Sequence, residues 1–359
     1  MKVLLVTESD DFSAEESLGA TYYMIEAMKR GRTQGNPWLY ISRPVLSGLT
    51  LGRFQNSSSA TNLEEANKRE IPILRRLTGG TAFLLGEGFV HIAIAVFMDK
   101  QPLESEPRQF LQKYGAILVK ALTSLGLKAR YLGRDVISIG ELPAALLSFD
   151  IDENNIALLE SIISVEKPGI PDESLDGYPA PVRESPARDS HTNLKKENQE
   201  LTYERIVSAV KNSVKDAMKL DIEQRRITPL ERERIRSLLK KVRITKPAET
   251  QSTPFYAKKW NSRPIEESIG YVEASVAVTQ GRFLKDVNIY GDFMADSAGI
   301  RILEEKLRMC PIKRRQIALT IDDVLGAPEH VILGIRRLGS ILEAIMDAAK
   351  KGVQEAEGS

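Results

Sequence analysis

With 359 residues, 42% of them hydrophobic and 28% charged, the chain is long enough for two domains around a sizeable core and too apolar to be disordered. Fifty lysines and arginines against 49 aspartates and glutamates leave a formal charge of +1, which removes any global electrostatic case for nucleic acid or an anionic membrane as partner. The single cysteine, Cys310, rules out an internal disulfide and a cysteine-rich metal site and fits a reducing cytoplasm, and no apolar run reaches the ~20 residues that span a bilayer.

The opening apolar stretch, residues 2–6, is too short for a signal peptide and reads as a strand. Residues 15–30 follow as a helix, with Leu18, Tyr22, Ile25 and Met28 at helical spacing. A strand and a helix open many dinucleotide-binding domains, but no GxGxxG follows, which speaks against a nucleotide-binding oxidoreductase. Residues 38–41 and 45–51 read as strands about a turn at Arg43-Pro44, and 63–69 as a short helix. In the stretch Ile71-Pro-Ile-Leu-Arg-Arg-Leu-Thr-Gly-Gly80, an apolar run ends in two arginines and a glycine turn, and a second strand runs over 90–97. Such glycines let main-chain N–H groups approach an anion, and arginine has the shape to grip phosphate or carboxylate. Taken alone, the stretch reads sooner as an ordinary hairpin with two solvated arginines.

Residues 106–125 form an amphipathic helix through Phe110, Leu111, Tyr114, Ile117, Leu118 and Leu122, and 155–163 a short helix. Residues 168–198, with five prolines among charged residues, read as an irregular loop, and 203–220 as a helix. Thr228-Pro-Leu-Glu231 has the N-cap, first-turn proline and capping glutamate of a helix start. Residues 271–278 and 282–290 form a hairpin about Gln280-Gly281, then come a helix over 297–309 and a last helix from Pro328 to about 350. The histidines His91, His191 and His330 lack metal-ligand spacing, so no metal site is expected from the residues.

Four stretches in order carry a resemblance: Gly52-Arg-Phe-Gln-Asn56, Arg75-Arg-Leu-Thr-Gly-Gly80, Thr192-Asn-Leu194 after Arg188, and Tyr256 to Trp260-Asn261. Together they resemble the lipoate–protein ligases, of the superfamily that also holds biotin–protein ligases and octanoyl transferases. A Leu125-Gly-Leu-Lys-Ala segment before Gly133-Arg-Asp135 adds to the likeness. The resemblance implies an α+β fold, a mixed or antiparallel sheet flanked by helices, with a small α+β C-terminal accessory domain. It sets a large domain at 1–250, a linker at 251–268, the accessory domain at 269–327 and a helix and tail at 328–359. It also implies that Arg76, Gly79, Gly80, Thr81, Ala82 and Phe83 wrap a lipoyl-adenylate, supported by Arg53, Asn56 and Arg75, with Asp135 placing nucleotide or metal.

The text departs from the family where its chemistry is expected. Active ligases carry a Lys-x-Ser-Gly strand after the aspartate turn, whose lysine meets the growing negative charge on phosphoryl oxygens. Here no lysine occurs between Lys128 and Lys167, most simply through a deletion. Thr81 replaces a third glycine, Leu85 a usual histidine and Gly86 the following aspartate, so Leu85 and Phe89 would make the pocket mouth apolar. Two readings follow. In the favoured one the chain keeps the lipoyl- or octanoyl-adenylate pocket and recognises a lipoyl carrier domain, as a partner subunit or sensor, without adenylating. In the other it is an active ligase that takes ATP, Mg2+ and lipoate and uses a lysine from elsewhere.

Overall fold

The computed structural model describes residues 2–100, 107–131, 135–171, 174–175, 177, 191–245, 258–267, 270–279 and 282–358. Arg188, Tyr256 and the Gln280-Gly281 turn lie outside the described residues.

Eight strands form the main sheet. In chain order they are β1 (Val3–Ser9), β2 (Trp38–Ser42), β6 (Phe89–Phe97), β7 (Ala129–Tyr131), β8 (Val136–Ile139), β9 (Leu142–Ile151), β10 (Ile156–Ser164) and β11 (Asp221–Arg225). Their spatial order is β11-β1-β2-β6-β10-β9-β8-β7. β1 pairs in parallel with β2 and with β11, and every other neighbour is antiparallel. The fold is therefore a mixed sheet flanked by helices, as expected.

Period-two alternation assigns the faces. Leu4 and Val6 of β1 join Leu39, Ile41, Ile92 and Ile94 on one face, under α4 (Pro107–Ser124) and α6 (Tyr203–Met218). Leu5, Tyr40, Ala93, Ala95 and Leu158 point the other way, under α1 (Ala14–Lys29), which α7 (Pro229–Val242) covers through Ile235 and Leu238. Both helices of that second layer start with a reciprocal capping box, Ser13 with Glu16 and Thr228 with Glu231. Three short strands, β3 (Gly48–Leu51), β4 (Ile73–Arg75) and β5 (Phe83–Leu85), make a separate sheet in the order β4-β3-β5. Two short helices, α2 (Ser57–Ala60) and α3 (Leu63–Lys68), connect β3 to β4, and α5 (Leu194–Glu197) precedes α6.

The C-terminal part has its own core. β14 (Tyr271–Thr279) pairs with β15 (Phe283–Gly291) on one side and with β12 (Trp260–Asn261) and β13 (Ile265–Glu266) on the other. α8 (Ser297–Leu307), α9 (Arg314–Leu325) and α10 (Gly339–Gly358) pack their apolar residues onto this sheet. A two-strand pair, β16 (Met294–Ala295) with β17 (Ile332–Leu333), leads into it.

Two expectations are corrected. Residues 155–163 are no helix: β10 lies between β6 and β9 with every residue buried, so its two apolar faces hide the alternation that would have marked a strand. No single helix starts at Pro328, which stands in a turn; β17 follows, and the last helix begins at Gly339. Among the described residues no helix is long and apolar enough to cross a membrane.

Candidate functional site

The turn between β4 and β5 is shaped from within by its two arginines. Arg76 has no exposed surface; Nη1 donates to the Thr50 carbonyl (3.1 Å) and hydroxyl (2.7 Å), and Nη2 to the carbonyls of Gly79 (3.0 Å) and Thr81 (2.8 Å). Arg75 donates through Nη1 to the carbonyls of Gly52 (2.6 Å) and Gln55 (2.5 Å), and burial holds its pKa below the usual arginine value. Both guanidiniums thus fix main chain. Gly52 faces the turn so closely that a Cβ there would stand 2.1 Å from the Gly80 oxygen, while Gly80 itself adopts φ +85°.

The turn amides are engaged. Gly79 N–H donates to the Phe149 carbonyl of β9 (3.3 Å), and Gly80 N–H to the Phe293 carbonyl of the C-terminal part (2.9 Å). Gly79 lies against the same segment: a Cβ on it would fall 2.4 Å from the Phe293 oxygen and 2.9 Å from Met294 Cα. Around Gly80 converge Ser148, Met294 and Asp135, the last buried at the start of β8. Arg53 N–H donates to the Thr78 carbonyl (2.7 Å), and its Nη1 to Asp150 (3.3 Å). Asn56 caps α2, its side chain accepting from Ser58 N–H.

The remaining expected residues are core. Ala82 and Phe83 are buried, Phe83 standing edge-on to Phe89 and tilted against His191, and Thr81 is half-buried. Leu85 and Phe89 were expected to line a pocket mouth; they are instead packed with Leu18, Leu74, Leu146 and Ile162 in one apolar cluster. The hairpin β8–β9 turns through two residues and carries no lysine.

Beneath the turn runs a buried polar chain that the sequence reading missed. Thr78 Oγ1 donates to Glu160 Oε2 (2.6 Å) and meets the Ser148 hydroxyl (2.8 Å). Glu160 Oε1 lies 3.4 Å from His91 Nε2, and His91 Nδ1 meets the Ser17 hydroxyl of α1 at 2.8 Å. Burial alone would raise the Glu160 pKa, but the nearby His91 imidazole, the hydrogen bond from Thr78 and the charge of Arg76 outweigh it, and the carboxyl titrates below its usual range. The visible signal was a glutamate inside the apolar run Ile156-Ala-Leu-Leu-Glu-Ser-Ile-Ile163.

Asp150, at the end of β9, joins the two parts of the molecule. Its Oδ1 accepts from Ser297 N–H (2.8 Å) and its Oδ2 from Ser297 Oγ (3.0 Å), at the start of α8. Burial raises its pKa to about 6 against the pull of Arg53 and the Ser297 hydrogen bonds.

A phosphate on this turn would need free N–H groups and a facing cation. Both glycine amides and four arginine donor contacts are directed at protein oxygens, so in this arrangement the turn does not fit the phosphates of ATP or an acyl-adenylate. Among the described residues no group of three or more His, Cys, Asp or Glu is arranged to hold a metal ion.

The mixed sheet with its two helical layers and the arginine–glycine turn define a lipoyl-ligase type of catalytic fold. Residues 13–148 match the family model of the lipoyl protein ligase A/B catalytic domain. P. falciparum LipL1, whose crystal structure is a complex with lipoate, is similar at 16% identity with a TM-score of 0.66, over 98% of this chain and 99% of that one. A bi-partite lipoate protein ligase from Thermoplasma acidophilum is 18% identical with a TM-score of 0.54, over 67% of this chain and 93% of that one. Lipoate-protein ligase A bound with ATP is similar at the same identity and TM-score, over 67% of this chain and 95% of that one. At these identities the shared property is the fold. No curated protein sequence is significantly similar to the chain.

Proposed function

We propose that this chain is a lipoate–protein ligase-like protein that receives a lipoyl or octanoyl adenylate and recognises a lipoyl carrier domain, but does not form the adenylate. One observation carries the reading: Gly80 N–H, where the family resemblance sets the adenylate, donates to the Phe293 carbonyl of the chain's own C-terminal part, and no lysine stands in residues 129–166. Displacing Phe293 and Met294 would expose the Gly80 amide, with Arg75 and Arg76 holding the shape of the turn. Adenylation would still lack the central positive charge, whose removal costs about 10²–10³ in rate in comparable electrostatic sites.

The second reading, an active ligase using ATP, Mg2+ and lipoate, draws support from the whole-length likeness to LipL1. One experiment separates them. The full chain is incubated with ATP, Mg2+, lipoate and a lipoyl carrier domain, and the carrier is weighed by mass spectrometry. The proposal expects no mass gain, together with heat on titration of a non-hydrolysable lipoyl-adenylate mimic. Lipoylated carrier would establish the active enzyme instead, and a mimic that gives no heat would remove the pocket.

A further inference from the structure

Three local irregularities meet at one end of the C-terminal sheet. The segment 309–312 runs antiparallel along the start of β15: Leu284 N–H donates to the Cys310 carbonyl (2.9 Å), Ile312 N–H to the Arg282 carbonyl (3.0 Å) and Met309 N–H to the Leu284 carbonyl (2.7 Å). Leu284 is buried, so its neighbours Phe283 and Lys285 face outward, beside Met309. Phe283 is 39% and Met309 61% exposed, although both are large apolar side chains. Met309 also holds φ +61° just past the end of α8, where glycine is the residue that avoids strain. Burial and backbone preference both speak against a methionine at this position, so the fold does not account for it.

The cations are the third irregularity. Arg282, Lys285, Lys313 and Arg315 are exposed, and their side chains make no hydrogen bond or ion pair among the described residues. Lys313 to Arg315 open α9 with no side-chain cap and no acidic residue in the first turn, at the end of a helix that disfavours positive charge. The carboxylates nearby are mostly taken. Asp286 is shared between Lys259 (2.7 Å) and Arg308 (3.4 Å), Glu305 holds Arg301 (3.0 Å) and Asp323 holds Lys306 (2.7 Å). Glu304, whose pKa burial raises to about 7, accepts from Ile289 N–H (2.9 Å), and Asp322 stands two turns along α9 from Arg315. The surface is therefore strongly positive here although the whole chain has a formal charge of +1.

We propose that this end of the C-terminal part docks on the anionic face of a phospholipid bilayer, with Phe283 and Met309 entering the headgroup layer and Arg282, Lys285, Lys313 and Arg315 at the phosphates. Protruding apolar side chains among cations are the make-up of a peripheral membrane contact, in which each basic residue near an anionic surface strengthens binding about fivefold. A protein partner of ordinary size covers about 800 Å2 and needs a packed apolar centre, which two side chains do not supply. β15 separates the contact from the arginine–glycine turn: eight steps of ~3.3 Å set Phe283 about 26 Å from Gly291, whose N–H meets the Phe54 carbonyl at the seam with the large part. The contact stands whether or not the turn takes an adenylate.

The full chain is mixed with vesicles of phosphatidylglycerol and phosphatidylcholine in equal parts, or of phosphatidylcholine alone, and the bound fraction is read by co-sedimentation. Binding to the anionic vesicles is expected, at least tenfold weaker on the neutral ones and weakened by salt. Reversing two charges together, Lys285→Glu and Lys313→Glu, should weaken it at least tenfold, with a thermal melt to separate a lost contact from a lost fold. Met309→Gly is the sharper variant: glycine adopts φ +61° freely, so its melt should lie no lower than wild type while vesicle affinity falls at least threefold. No binding to anionic vesicles would overturn the proposal, as would wild-type affinity in Met309→Gly or in the folded charge-reversed chain. A dimer in sedimentation velocity that Met309→Gly dissolves, or a single-stranded RNA bound more tightly than the vesicles, would overturn it too, by naming a second copy or a nucleic acid as the occupant.

Discussion

Glu160 and His91 have no exposed surface, and each is the other's nearest ionisable partner across the β6–β10 pair. Removing one member of such a pair strands the other in a low dielectric, which typically costs about 3–5 kcal/mol. Glu160→Leu should therefore lower the unfolding free energy obtained from urea titration by that order, whereas Glu160→Gln, which keeps an acceptor for Thr78, should cost clearly less. Asp150 gives a prediction in pH. Its folded pKa, about 6, lies above the ordinary 3.8, so the folded state binds this proton more tightly than the unfolded chain. The associated stability is complete below about pH 4 and is lost as pH rises through 6. Relative to Asp150→Asn, wild type should lose roughly 3 kcal/mol between pH 4 and 7, read from denaturation midpoints at each pH. A rising difference would show that Asp150 is ionised throughout.

At the scale of elements, α7 is the part most plainly written in the sequence. Thr228 Oγ1 accepts from Glu231 N–H at 3.3 Å, and Glu231 Oε2 accepts from Thr228 N–H at 2.9 Å. The same glutamate accepts from the Tyr23 hydroxyl of α1 at 2.6 Å, so the cap also joins the two helices of that layer. Thr228→Ala should cost about 1 kcal/mol in a thermal melt, and Glu231→Ala more, because it breaks the cap and the link to Tyr23 together. Local chemistry of this kind, like the amphipathic stripes of α1, α4 and α6, is legible because it closes within a turn or two. β11 is a polar edge strand with no apolar alternation to betray it, and only its parallel register with β1 defines it. α9 has an apolar spacing at Ile317, Ile321 and Val324 but begins at Lys313 without a side-chain cap, so the usual start signal is missing. The arginines of the turn were legible as a motif. Their inward direction was not, since Thr50 and Gly52 come to them from another strand.

For the whole molecule the governing contact is the C-terminal part seated on the turn. Phe54 of the large part stacks on Phe293 with ring centroids 4.7 Å apart, Gln55 donates to Asp292 at 2.6 Å, and Ser59 donates to Glu273. Gly79 has no room for a side chain at this seam. Gly79→Ala should therefore unseat Phe293 while leaving the main sheet intact. Hydrogen exchange at the Gly80 amide should accelerate at least tenfold, with amides of β6 and β10 unchanged; protection equal to wild type at Gly80 would mean that the seam yields elsewhere.

The parallel placement of β1 has a consequence for how the chain is made. β1 is held between β2 and β11, and β11 is encoded some two hundred residues after it. During synthesis the first strand can find one neighbour early, yet its other edge stays open until the ribosome has released residues 221–225. For most of translation the nascent chain carries an exposed, apolar strand edge of the kind that invites pairing with other chains, and a holding chaperone would have its longest window there.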